Sequence, residues 1–320
     1  MQTIWGPLFR RDRIESRRRE RIATRDGDFV DLDWADAAPP GSPLVLVLHG
    51  LEGSSRSHYA VGLMRQAVAG GWRAVTLNFR SCSGELNRRL PFYHSGHTDD
   101  LDEVVALLTG RERGLRLGIV GVSLGGNVLL KWLGERGSEA PVEVVGAVAI
   151  SVPFDLASCA RVLDRGPRCW VYTANFLKTM RAKVIDKAAR DPELGRLVDL
   201  AQVRRTRTFA RYDRLVTAPL NGFADEHDYW RRASSGPYLS RIRRPTLLVN
   251  ALDDPIVPSD ALPRLADLPP SVRVEFPSHG GHAGFIEGGW PWRVRSWAER
   301  RAMEFLAPLA RDEPPPRRVC

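Results

Sequence analysis

Gly121-Val122-Ser123-Leu124-Gly125 sets a serine between two glycines in a GxSxG run. An apolar stretch at 117–121 precedes it and a helical pattern opens at Leu124, the strand–turn–helix order of a nucleophile elbow. Such a turn is too tight for side chains at Gly121 and Gly125, and Gly126 lets the helix approach the sheet. The bend would lift the Ser123 hydroxyl above the sheet edge. It would leave the Leu124 amide at a helix N-terminus, aimed at developing negative charge. A serine hydroxyl is a weak nucleophile at neutral pH and needs a base. Three histidines follow Ser123 in the chain: His227, His279 and His282. His282 comes after Gly280-Gly281, on a loop behind a β-rich run, and such a loop can swing an imidazole back over the elbow. His282 is therefore the expected base, and His279 a surface residue. The acid that orients the base belongs on a loop at the C-terminal end of a late strand. Asp253 and Asp254 both occupy one. One would hold the histidine's tautomer and steady the imidazolium; the other would cap or brace the loop.

His49-Gly50-Leu51-Glu52-Gly53 follows another apolar run and supplies a second Gly-rich turn. A backbone N–H there, that of Leu51, can face the same point as the Leu124 amide. The two would form an oxyanion hole, each donor contributing roughly 3 kcal/mol of transition-state stabilisation. His49 is expected to brace this loop. The chemistry open to this set is acyl transfer through a serine ester on a small-molecule substrate, and it requires no metal and no organic cofactor. His94, His97, Asp99 and Asp100, in HSGHTDD, could be drawn as a metal site. The pair of histidines leads into a helix that Thr98 or Asp99 would cap. No Glu follows the first His as a zincin helix needs, so no metal is expected.

These residues need strands to carry them. Runs at 44–48, 73–79, 117–122, 143–150, 246–251 and 272–276 are short and apolar, as strands covered on both faces are. Residues 29–34 alternate apolar and polar, as a half-buried strand would. Helix candidates fall at 57–69, 99–108, 124–135, 258–266 and 291–309. Alternating β and α units predict a mostly parallel sheet with helices on both faces. The alternation stops over 155–240, where helical, Arg-rich stretches with scattered aromatics take over. That is too long for a loop and reads as a helical insertion between two strands. The expected organisation is a core over 1–154 that holds the elbow, the insertion over 155–240, and the rest of the core, with acid and histidine, over 241–310. A disordered, Pro-rich tail over 311–320 completes it.

The chain has 320 residues, 43% hydrophobic and 27% charged, which excludes disordered, collagen-like and coiled-coil classes. No apolar run approaches the roughly 20 residues of a membrane span, and the N-terminus lacks the apolar core of a secretory signal. Cys82, Cys159, Cys169 and Cys320 form no CxxC pair, which speaks against a zinc ribbon or dithiol motif and for a reducing cytoplasm. The net charge is +9, yet only Lys131, Lys178, Lys183 and Lys187 of the 47 basic residues are lysines, a pattern of compositional bias. Eight arginines lie within 10–25 with no aromatics interleaved for base stacking. A solvated basic arm is expected there, not a nucleic-acid interface. With Trp5 and Phe9 nearby, the arm is also a candidate for contact with anionic lipid, or for packing on the sheet edge.

With these residues placed, the chain resembles the α/β-hydrolase superfamily and, within it, the YheT-like hydrolases, from about Pro7 to Leu306. Asn78-Phe79-Arg80-Ser81-Cys82-Ser83-Gly84-Glu85-Leu86-Asn87 is similar to that family's NFRGCSGEPN loop, with Ser81 in place of Gly and Leu86 in place of Pro. Tyr93-His94-Ser95-Gly96, the run from Asp213 through Gly222-Phe223, Tyr229-Trp230 and Pro245 to Asp253-Asp254, and His279-Gly280-Gly281-His282-Ala283-Gly284-Phe285 are similar to further motifs. The resemblance implies the α/β-hydrolase fold, with an eight-stranded, mostly parallel sheet and a cap built from 155–240. In related hydrolases the acid precedes a proline by four residues, as Asp254 precedes Pro258 in DPIVP. The implied triad is Ser123, Asp254 and His282, and the implied activity hydrolysis of short- to medium-chain carboxylic esters. Relatives that act on lipids, or that pass the acyl group to an alcohol or thiol, share the first half-reaction, so a lipid acyltransferase or thioesterase is the alternative.

Overall fold

The computed structural model describes residues 18–35, 38–165, 169–288 and 295–311. Its main strands are β1 (Arg18–Ala23), β2 (Phe29–Ala35), β3 (Leu44–Leu48), β4 (Arg73–Asn78), β5 (Leu117–Val122), β6 (Val144–Ile150), β7 (Thr246–Val249) and β8 (Val272–Glu275), beside a short pair at Ile286–Glu287 and Arg295–Ser296. The main strands form one eight-stranded sheet in the order β1-β2-β4-β3-β5-β6-β7-β8. Its β1–β2 and β2–β4 pairs are antiparallel and every other pair in that sheet is parallel.

Side-chain alternation along the central strands feeds two cores. Leu44, Leu46 and Leu48 of β3 and Ile119 of β5 pack with α2 (Asp99–Arg111) and α3 (Leu124–Arg136) on one face. Val45, Val47 and Val120 pack on the other face with α1 (His58–Ala69) and the C-terminal helix Trp297–Leu309. The solid apolar runs follow from this, because both faces are covered. Between β6 and β7 the chain runs through α4 (Leu156–Arg165), α5 (Trp170–Arg190), α6 (Pro192–Leu197), α7 (Leu200–Arg205), α8 (Phe209–Tyr212), α9 (Ala218–Leu220) and α10 (Glu226–Ala233). The C-terminal helix is α11 (Trp297–Leu309).

Four expectations need correction. Part of the supposed solvated arm is β1, whose Arg19 and Arg21 pair with Asp33 and Asp31 of β2 at 2.7 and 2.9 Å. Those aspartates are buried, so β2 is covered along its whole length and not half-exposed. Their charge is matched by arginine and by Ser55, Asn78 and Ser83, which is how a polar residue can sit in a core strand. Residues 258–266 are no helix: Pro263 lacks the amide a helix needs, and two short 3-10 turns, Ser259–Ala261 and Leu265–Asp267, take its place. Thr98 sits at the start of α2, but its hydroxyl donates to Glu135 and makes no cap. Trp5, Phe9 and the tail from 312 lie outside the described residues. No helix among those described is long and apolar enough to cross a membrane.

Candidate active site

Ser123 lies at the β5–α3 junction with φ 54° and ψ −120°, a backbone that L-residues rarely adopt. The neighbours explain how it is held. A Cβ at Gly121 would lie 2.4 Å from the Gly125 carbonyl oxygen, and one at Gly125 would lie 2.5 Å from that of Leu48. The Ser123 amide donates to the Ile150 carbonyl at 2.8 Å, and its own carbonyl accepts from Asn127 at 3.0 Å. The bend is therefore fixed by three strands, not by the turn alone.

His282 Nε2 is 2.9 Å from Ser123 Oγ, and Nδ1 is 2.9 Å from Asp254 Oδ2. A carboxylate only accepts, so it draws the ring proton to Nδ1 and leaves the Nε2 lone pair for the serine hydroxyl. Asp254 is buried, and its Oδ1 also accepts the amides of Ile256 and Val257 at 2.8 and 3.1 Å. Asp253 does something else. Its Oδ1 accepts the amides of Gly280 and Gly281 at 2.8 Å each, bracing the loop that carries His282. His279 is exposed beside Asp253, and His227 is exposed on α10 beside Glu226. The Ala283 amide donates to Ser151 Oγ at 2.9 Å, which ties the far side of the same loop to the end of β6.

The turn after β3 is ordered from both sides of Leu51. The Gly50 amide donates to Tyr59 Oη at 2.9 Å, and the Glu52 amide to Tyr93 Oη at 2.6 Å. The Gly50 carbonyl accepts from the Gly53 amide at 3.0 Å and lies 2.8 Å from His49 Nδ1. His49 Nε2 accepts the Phe79 amide, so the proton sits on Nδ1 and is donated to Gly50. Burial pushes His49 down to about 4, which keeps it neutral in this bracing role. The amides of Leu51 and Leu124 have no hydrogen-bond partner among the described residues.

Above the serine opens a cleft of about 130 Å³. Ser123, His282, Leu51 and Leu124 line it from the sheet side; Leu163, Phe176, Phe209 and Trp230 line it from the helical stretch between β6 and β7. Besides the histidines, its few acidic or basic side chains are Glu52, paired with Lys183 at 2.8 Å, and Asp213. Asp213 accepts from Thr217 Oγ1 at 2.7 Å and Trp230 Nε1 at 2.9 Å, and burial pushes its carboxyl up to about 7. None of Tyr59, Tyr93, Lys183 or Asp213 was legible as a site residue. Tyr93 stands in a recognised motif, and Glu52 in the Gly-rich turn, but nothing in the spacing joins either to Lys183.

The side chains of the histidine-rich segment engage one another and the loop before it. His94 and His97 stack at 5.5 Å between centroids, and Asp100 is bound by Arg80. No cluster of three or more ligating side chains occurs among the described residues. In the preceding loop Ser81 has φ +64°, the conformation that favours glycine. Its hydroxyl donates to Asn87 Oδ1 at 2.7 Å and accepts the Asn87 amide at 3.0 Å, which offsets the strain.

A family profile for the α/β-hydrolase fold matches residues 43–289. YheT of Escherichia coli strain K12, a protein that carries an esterase name, is 39% identical over 309 residues, 96% of this chain and 89% of its own. Phospholipase ABHD3 of Mus musculus is 31% identical over 95% of this chain and 75% of its own. Among solved structures, the Pyrococcus furiosus esterase Pf2001 superposes with a TM-score of 0.55 at 17% identity over 84% of each chain, a likeness of fold. The chain belongs to the α/β-hydrolase family and, within it, is a YheT-like hydrolase.

Proposed function

We propose that the protein hydrolyses carboxylic esters of short- to medium-chain acids through an acyl-enzyme on Ser123. The observation that carries this reading is the unbroken relay from Asp254 through His282 to Ser123 Oγ, each contact 2.9 Å, at the floor of an apolar cleft. His282 takes the serine proton as Ser123 attacks the acyl carbon, then returns it to the leaving alcohol. Water repeats the sequence and releases the acid. Asp254 holds His282 in the required tautomer, and the amides of Leu51 and Leu124, without a partner among the described residues, receive the oxyanion. The helices α4–α10 act as a cap whose aromatic lining holds the acyl chain. The esterase and phospholipase names of the relatives support ester-bond hydrolysis, the second of them on a lipid-derived substrate. A reducing cytoplasmic setting fits the unpaired thiols of Cys82, Cys159 and Cys169.

Turnover of p-nitrophenyl butyrate tests the assignment. Ser123→Ala is expected to lower kcat by about three to six powers of ten while leaving the fold intact. Turnover at the parental rate by the purified variant would overturn it.

A further inference from the structure

Glu52 is the residue after the proposed oxyanion donor, and it is held in a costly conformation, with φ +56°. Three contacts from two groups hold it. Its amide donates to Tyr93 Oη at 2.6 Å, the same hydroxyl donates back to its Oε1 at 3.2 Å, and Lys183 Nζ reaches that Oε1 at 2.8 Å. Lys183 also lies 3.5 Å from Cys82 Sγ and 5.9 Å from the Tyr93 ring centroid. The Glu52 side chain is 9% exposed and that of Lys183 is 23% exposed, so the pair is shielded from water, where a charge–charge contact is strong. Burial alone would lower the Lys183 ammonium, but Cys82 and Glu52 reverse this and raise it, so it stays charged.

The sheet fixes only one half of the Leu51 environment. The Gly50–Leu51 peptide is held through the Gly50 carbonyl by Gly53 and His49, all residues of the turn itself. The Leu51–Glu52 peptide is held through Tyr93 and, behind it, Glu52 and Lys183. Lys183 belongs to α5, in the helical stretch between β6 and β7, 131 residues further along the chain than Glu52. We propose that Lys183 is a positioning residue for the Leu51 amide, acting through Glu52 and Tyr93, so that the helical stretch completes the oxyanion hole. This inference rests on the proposed acyl-enzyme reading. It makes one donor depend on the docking of α5, whereas Leu124 at the start of α3 does not.

A substituted series tests it, with three readouts: kcat and KM for p-nitrophenyl butyrate, the inhibition constant of a butyl trifluoromethyl ketone, and the affinity of 1-hexanol as an unreactive competitor. The ketone forms an oxyanion on Ser123; the alcohol does not. Lys183→Met is expected to lower kcat about 10- to 100-fold with KM within about twofold, and to weaken the ketone by the same factor as kcat/KM. Hexanol affinity should stay unchanged, and Lys183→Arg should recover most of the loss. The double variant Glu52→Gln with Lys183→Met leaves no unpaired buried charge; it should keep the loss. A Lys183→Met rate within twofold of the parent, an equal weakening of ketone and alcohol, or full recovery in the double variant would each overturn the proposal. Ser123→Ala run in parallel separates the two readings, since parental turnover there removes the acyl-enzyme itself.

Discussion

At the C-terminal ends of β3, β5, β6 and β7, the site residues are held by main-chain hydrogen bonds: Ser123 by Ile150, Asp254 by Ile256 and Val257, and the Gly50–Leu51 turn by Gly53. In the helical stretch between β6 and β7, the polar groups that face the same cleft are held by other side chains: Asp213 by Thr217 and Trp230, and Lys183 by Glu52. Main-chain donors and acceptors are present whatever the sequence, so the first region leans on its turns and glycines, with side chains such as Tyr59, Asp253 and Ser151 as braces. The second needs particular partners, and each partner can be replaced. Under the proposed function the difference becomes a division of labour, in which the sheet edge fixes the reaction and the helical wall tunes what enters and how the turn after β3 is set.

Adjacent aspartates offer the sharpest way to break this comparison, because Asp254 holds the His282 imidazole, whereas Asp253 holds loop amides and the exposed His279. Asp254→Asn is expected to lower kcat by about four powers of ten, since an amide favours the wrong tautomer. Asp253→Asn should cost less than about tenfold, as a loop brace outside the proton relay. Equal losses in steady-state kinetics would erase the distinction.

A smaller effect sharpens the description of the wall. Burial pushes Asp213 up to about 7 from a usual value of 3.8. Between those values the folded state keeps a proton that the unfolded state has released, so stability falls as pH rises through the window and levels off above it. Raising pH from about 5.5 to about 8.5 should remove about 2 kcal/mol from the parent through this group. Urea unfolding at both pH values checks it: Asp213→Asn should lose correspondingly less. The same loss in parent and variant would mean that Asp213 stays ionised throughout.

The legible and illegible parts of the sequence divide along the same line. The runs at 44–48 and 117–122 coincide with β3 and β5, because a strand covered on both faces leaves an unbroken apolar signal. Ser123 and His282 stand out as candidates because turn glycines and strand ends restrict where such residues can stand, whereas only the resemblance to related hydrolases separates Asp254 from Asp253. β1 was hidden because its arginines read as solvated, and only the pairing register places Arg19 opposite Asp33 and Arg21 opposite Asp31. The Glu52–Lys183 contact spans 131 residues, and the burial of Asp213 depends on how α10 packs, so neither leaves a local periodic trace.

The central claim is that Ser123 is the residue that bonds to the acyl carbon, with His282 as its base. Intact-mass analysis after reaction with a fluorophosphonate ester tests it most directly. One phosphonyl adduct is expected, mapped by peptide sequencing to Ser123, absent from Ser123→Ala and formed at least about a hundredfold more slowly in His282→Ala. An adduct on another residue, or labelling of Ser123→Ala at the parental rate, would contradict it.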